Sequence, residues 1–299
     1  MPDVTSPTRR GFLARTALTG LALSPSAPAA RTPRSVIDCA THFYDTGRPQ
    51  GVPWPSPKEP VLYRPSLPPR YLDAVKPFRV DGVVAIEASP WLEDNLWLLN
   101  LADRTPLIRA VVGHLEPGHP DFRAALDRFS KHPLWRGIRI GAGTLGGILD
   151  DPRMLADLRL LMEKNLSLDI LVGKPDYPAI TRLAGLLPDL RIMVGHLPLD
   201  DSAGIRACAA HRNIHAKVSG VVRRSGELPA AKLDELWDVF GPSRTVFASN
   251  WPTCDMIAPY PAVFRTIDGY LTRQPEDVRD RFYSANAAAF YRFAAPAAR

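Results

Sequence analysis

From residue 36 onward, short apolar, β-branched runs alternate with longer amphipathic stretches, and the alternation repeats eight times. The runs at 36–42, 82–88, 108–113, 137–140, 168–172, 191–196, 214–219 and 245–248 read as strands. Stretches with helical period lie between them, at 95–104, 121–131, 151–164, 177–187 and 231–240. Strands alternating with helices predict parallel βαβ units, and eight such units predict a closed (β/α)8 TIM barrel in one domain, 35–294. A doubly wound open sheet is the competing architecture, but no Gly-x-Gly-x-x-Gly turn follows the first strand.

Two segments break the alternation. Residues 46–69 are rich in proline, carry no helical period and are too long for an ordinary βα loop. They follow the tip of the first strand, so they are expected over the barrel mouth as a lid or pocket wall. Residues 1–30 read as a targeting leader. Arg9-Arg10 form a twin-arginine pattern, 14–23 is modestly apolar, and Ala27-Pro28-Ala29 offers a cleavage site. The expectation is export to the periplasm or beyond. No stretch reaches the roughly 18 apolar residues that a membrane span requires.

Charge and composition narrow the function classes. The net charge is +6, and removing residues 1–29 leaves +4. No compact Lys/Arg run is interleaved with aromatics, which argues against a nucleic-acid partner. Three cysteines at wide spacing, Cys39, Cys208 and Cys254, do not make a disulfide framework. A small anionic or sugar-derived molecule is the expected partner, and a homo-oligomer is compatible with everything above.

In a barrel of this kind, active sites form where strands end. The expected tips supply His42, Glu87, His114, Arg139, His196, Lys217 with Ser219, and Asn250. So many polar groups at one mouth point to a site rather than to packing, because burying unpaired polar groups is costly. His114 reads as a packing or capping residue. His119, His132, His211 and His215 read as loop or helix-surface positions.

With these tips in view, the chain resembles the amidohydrolase superfamily, in the branch containing 2-pyrone-4,6-dicarboxylate lactonase, L-fuconolactonase and L-rhamnono-lactonase. The resemblance runs from about residue 36 to 293. It rests on Ile37-Asp38-x-x-x-His42-Phe43, Glu93-Asp94-Asn95, Arg136-Gly137-Ile138-Arg139, Gly195-His196, Lys217-Val218-Ser219-Gly220 and Ser249-Asn250-Trp251-Pro252. It implies hydrolysis of a cyclic ester, with His42, His196 and Asn250 at catalytic positions. Arg139, Lys217, Glu87 and Trp251 fall at substrate-binding positions, Trp251 as a pocket wall.

Two departures stand out. Ala40 occupies the first position of the expected His-x-His pair, and Asn250 stands where a carboxylate is expected. Zinc needs three or four N, O or S ligands. His42 and His196 are two strong donors, and Glu87 adds a third only if it points inward, so the expectation is no tightly held cofactor and at most a weakly bound divalent metal such as zinc. A carboxamide cannot take a proton from water, although it can orient one. The base then falls to His42 or His196, with Asp255 as a more distant candidate. The competing reading is an inactive barrel that binds a small acid or a protein.

Overall fold

Runs such as Ile-Arg-Ala-Val-Val-Gly and Arg-Ile-Met-Val-Gly carry apolar side chains on both faces, which suits parallel strands covered on both sides. The computed structural model describes residues 35–295 apart from 142, 144, 172–176 and 197–200. The leader therefore lies outside the described residues, as does the end of the strand expected at 172.

The strands are β1 (Val36–Thr41), β2 (Val80–Ile86), β3 (Ile108–Gly113), β4 (Trp135–Gly141), β5 (Ser167–Leu171), β6 (Arg191–Gly195), β7 (Ile214–Val218) and β8 (Thr245–Phe247). They form one sheet in sequential order, every neighbouring pair parallel. β8 is short, and the circle closes differently there. Thr41 and Trp251 form an isolated parallel bridge, and the His42 N–H donates to the Trp251 carbonyl at 2.8 Å. The result is a (β/α)8 TIM barrel.

The helices are α1 (Pro68–Val75), α2 (Asp94–Asp103), α3 (Phe122–Phe129), α4 (Leu145–Asp150), α5 (Pro152–Glu163), α6 (Tyr177–Leu186), α7 (Ser202–Ala209), α8 (Ala230–Phe240), α9 (Tyr260–Leu271), α10 (Glu276–Asp280) and α11 (Asn286–Tyr291). α5 starts where the chain signals a start: the Asp151 side chain accepts from the Arg153 N–H, and Pro152 occupies the first turn. α7 starts in the same way at Asp201, which accepts from the Gly204 N–H.

Two apolar layers result. One lies between sheet and helices, and includes Val83, Val111, Ile138, Leu168, Val194 and Phe247. The other fills the barrel itself, with Ile37, Cys39, Val84, Ala110, Met193, Val246 and Ala248. Phe290 and Tyr291 of α11 join this inner layer, and the Phe290 ring lies 4.8 Å from His215 near the start of β7. The strand-start end of the barrel is thereby stoppered, and polar groups gather at the other end. No described helix is long and apolar enough to cross a membrane.

Candidate active site

β1 delivers His42 to the mouth. Its Nδ1 lies 3.2 Å from the carbonyl oxygens of both Ile86 and Glu87, at the end of β2. A carbonyl only accepts, so Nδ1 carries the proton and Nε2 carries the lone pair. Nε2 lies 3.1 Å from the Asn250 side-chain oxygen. Two acceptors do not bond, and a half-turn of the carboxamide brings its N–H onto Nε2 instead. The imidazole is neutral. Burial, followed by the charge of Arg139, pushes its pKa down to about 3.

His196 follows β6 and Asn250 lies just beyond β8. Both adopt the left-handed backbone region, with φ 56° and 61°. Non-glycine residues held there cost strain that the surroundings must sustain, and such positions cluster at functional sites. Nδ1 of His196 lies 2.8 Å from the Ser219 hydroxyl just after β7. Burial, then Lys217 and Arg139, lowers this imidazole to about 4, so it too is neutral at ordinary pH.

Opposite them, Arg139 on β4 donates Nε–H to Glu87 Oε1 at 2.7 Å and Nη2–H to the Glu87 carbonyl at 2.8 Å. The other Glu87 oxygen accepts from the Ser89 N–H. A guanidinium has five N–H donors, so Arg139 keeps donors to offer while its charge is balanced. His42, Glu87, His114, Arg139, His196 and Asn250 all face one cavity of about 500 Å³. Trp54, from the proline-rich segment, forms its wall and meets His42 edge-on at 6.2 Å. The segment 46–69 thus lies over the mouth, as its position after β1 implied.

Several expected residues fall elsewhere. Lys217 does not line this cavity. It is buried one layer below, its Nζ 2.5 Å from Asp169 Oδ2 and 5.8 Å from the centre of the Tyr291 ring. Trp251 is no pocket wall: the left-handed turn at Asn250 sends it outward, where it packs on Phe43 and Tyr71 beneath Arg70. Asp255 pairs with Arg70 at 3.0 Å and lies outside the cavity, so it is not placed to act as base. His114, expected to pack or cap, lines the mouth. His215, expected on a loop or helix surface, faces the interior of β7, with its pKa lowered to about 4 chiefly by burial. All three cysteines are free and buried.

Three residues had no role assigned from the sequence. Trp54 carries no local signal beyond its Pro-rich setting. Asp38 and Asp169 carried one, since each is a lone carboxylate within an apolar strand.

Fold and site together define a (β/α)8 barrel with a histidine-centred cavity at the ends of its strands. The chain belongs to the amidohydrolase family, whose profile, described as Amidohydrolase, matches residues 37–293. An L-fucono-1,5-lactonase of Burkholderia ambifaria is 29% identical over 280 residues, covering 87% of this chain and 96% of its own. An L-fucono-1,5-lactonase of Burkholderia multivorans is 24% identical over 298 residues, covering 87% and 97%. The crystal structure of an amidohydrolase from Burkholderia multivorans with bound zinc aligns with a TM-score of 0.78 at 23% identity, covering 87% of this chain and 99% of that one.

The donors present here do not fit such an ion. Ala40 has none to give, and both nitrogens of His42 are engaged. Asn250 is a neutral carboxamide, and Asp169 is held by the Lys217 ammonium, which repels a cation. Among the described residues, no three His, Cys, Asp or Glu side chains gather as a metal requires.

Proposed function

We propose that the protein hydrolyses a small, uncharged sugar-type lactone with water activated by His196. One observation carries the proposal: a neutral imidazole, steered by Ser219, faces a sugar-sized cavity opposite a charge-balanced Arg139–Glu87 pair. The two lactonase relatives support the reaction class. The charge balance supports the substrate class. With Glu87 cancelling Arg139 and both site imidazoles neutral, no unpaired cation among the described residues lining the cavity waits for a carboxylate, while Trp54 offers an apolar face of the kind that packs on a sugar ring.

In this reading Ser219 accepts the Nδ1 proton of His196, which leaves Nε2 free to take one from water. Asn250, with its N–H on His42, turns its oxygen toward that water and orients it. The water oxygen bonds to the lactone carbonyl carbon while Arg139 donates to the carbonyl oxygen. Collapse then breaks the ring C–O bond, and the imidazolium proton passes to the departing oxygen. An imidazole lowered to about 4 is a weak base. Such a base suits an activated cyclic ester better than an amide.

A pH-indicator assay with neutral aldonolactones and a dicarboxylate lactone tests this. The parent is expected to open neutral lactones, and His196→Ala to lose about 10²–10⁴-fold in kcat. A parent no faster than His196→Ala on every lactone overturns the proposal. It would favour the second reading, a barrel that binds a small acid or a partner without turnover, to which the carboxamide at position 250 points. We further propose that the twin-arginine leader exports the protein. Replacing Arg9 and Arg10 with lysine is then expected to retain it in the cytoplasm.

A further inference from the structure

Asp38 sits in β1 four residues before His42, with no exposed surface and no cationic partner among the described residues. Its carboxylate is saturated by donors. Oδ1 accepts from the Ser249 N–H at 2.8 Å and the Ala40 N–H at 3.3 Å. Oδ2 accepts from the Ser249 hydroxyl at 2.5 Å and the Tyr71 hydroxyl at 3.0 Å. Having donated, the Ser249 oxygen accepts from the Trp251 N–H at 3.0 Å, and the Trp251 carbonyl accepts from His42. Asn250 is thus the one residue between two fastened neighbours, at φ 61°.

Closing the β1–β8 seam does not require a charge. A ladder or a neutral pair would do so without the cost of burying an unpaired carboxylate. What the carboxylate adds is four acceptor positions in one rigid plane, enough to fix a backbone N–H and a hydroxyl of the same residue. We propose that Asp38 is the positioning residue of the site: by fastening Ser249 it holds Asn250 in the left-handed conformation that sets its amide against His42. The catalytic consequence rests on the hydrolytic reading above, whereas the positioning does not.

The groups facing Asp38 are Tyr71 of α1, Tyr260 of α9, Cys39 of its own strand and Cys254 beyond β8, none of them a cation. Burial pushes its pKa up to about 6, against the pull of the Ser249, Ala40 and Tyr71 donors. Above that pH the carboxylate accepts all four bonds; below it, one oxygen carries a proton and the fastening loosens. His42 and His196 titrate lower, near 3 and 4, so an activity limb near pH 6 is the mark of Asp38. The effect on stability has the opposite sign. The folded pKa is raised above the unfolded one, so stability is fullest below about 4 and declines as pH rises through 6. Ionised Asp38 therefore burdens the fold while it serves the site.

Two variants test this. Asp38→Asn is expected to lower kcat about 10–100-fold with KM little changed. It should erase the limb near pH 6 and melt no lower than the parent at pH 7.5. Tyr71→Phe removes one donor and is expected to move the limb to higher pH, which no titration of His42 or His196 would do. Independently of turnover, the Asn250 side-chain amide in asparagine-labelled protein, assigned through Asn250→Asp, should shift in Asp38→Asn. An Asp38→Asn protein with parental kcat and limb overturns the proposal. So does a loss of kcat that follows a matching loss of Tm, or an unmoved Asn250 signal. If no lactone is turned over by the parent, the proposed reaction fails, while the Asn250 signal still decides the positioning.

Discussion

Asn250 shows how one atom changes what a strand tip can do. Its carboxamide satisfies the lone pair of His42, so His42 has no free nitrogen with which to take a proton. Asn250→Asp replaces that N–H with a negative oxygen beside Nε2. Opposite unit charges about 4 Å apart attract by about 4 kcal/mol at an effective dielectric of 20. The His42 pKa is then expected to climb from about 3 toward its ordinary value, against the burial and the Arg139 charge that lower it now. Histidine NMR titration checks the rise. The double variant Ala40→His, Asn250→Asp adds an imidazole and a carboxylate donor. It is expected to retain zinc on elemental analysis where the parent does not. Turnover gained only in the double variant would favour the binding reading for the parent.

The element that shapes the mouth is the segment after β1, and it is tied down by polar bonds more than by a core. Tyr44 and Ser66 pair across it, the Tyr44 hydroxyl donates to the Leu62 carbonyl at 2.7 Å, and Arg48 makes two bonds to Asp94, at 2.8 and 3.0 Å. The Arg48 and Asp94 side chains are only 8% and 13% exposed, so water screens this pair little. Arg48→Ala leaves Asp94 partly buried and uncompensated, and a loss of about 3 kcal/mol in urea unfolding is expected, with KM rising as the wall loosens. Trp54→Ala removes the apolar face alone. Its expected signature is a higher KM at nearly constant kcat, a loss of uniform binding. This segment was legible only in outline. Its place over the mouth followed from its position after the first strand, because a barrel fixes where every βα loop must go. Which aromatic would reach inward did not follow, since a loop without period gives its side chains no direction. The same distinction explains the tips. His42, Glu87, Arg139 and His196 could be read because strand ends converge, whereas Trp251 could not, because a left-handed turn at Asn250 reverses the alternation after it.

Across the whole barrel, depth is the coordinate that a linear pattern leaves out. Lys217 and Ser219 both point inward from the β7 end, two residues apart. Ser219 reaches His196 at the mouth, while Lys217 lies one layer down against Asp169. There it joins β7 to β5, and Tyr291 donates to the same Asp169 oxygen at 2.8 Å, which ties in α11. The second Asp169 oxygen has no partner among the described residues, so Lys217 carries most of the compensation for this charge. Lys217→Met should therefore cost about 3–5 kcal/mol, because it strands a buried carboxylate. Asp169→Leu should cost a comparable amount by stranding the ammonium. The double variant is expected to recover most of both losses, since a well-packed apolar pair can match or exceed a buried ion pair in stability. Urea unfolding of the four proteins closes the cycle. If instead Lys217→Met folds with parental stability and raises only KM, Lys217 is reaching substrate, and its place in the molecule is the mouth rather than the barrel interior.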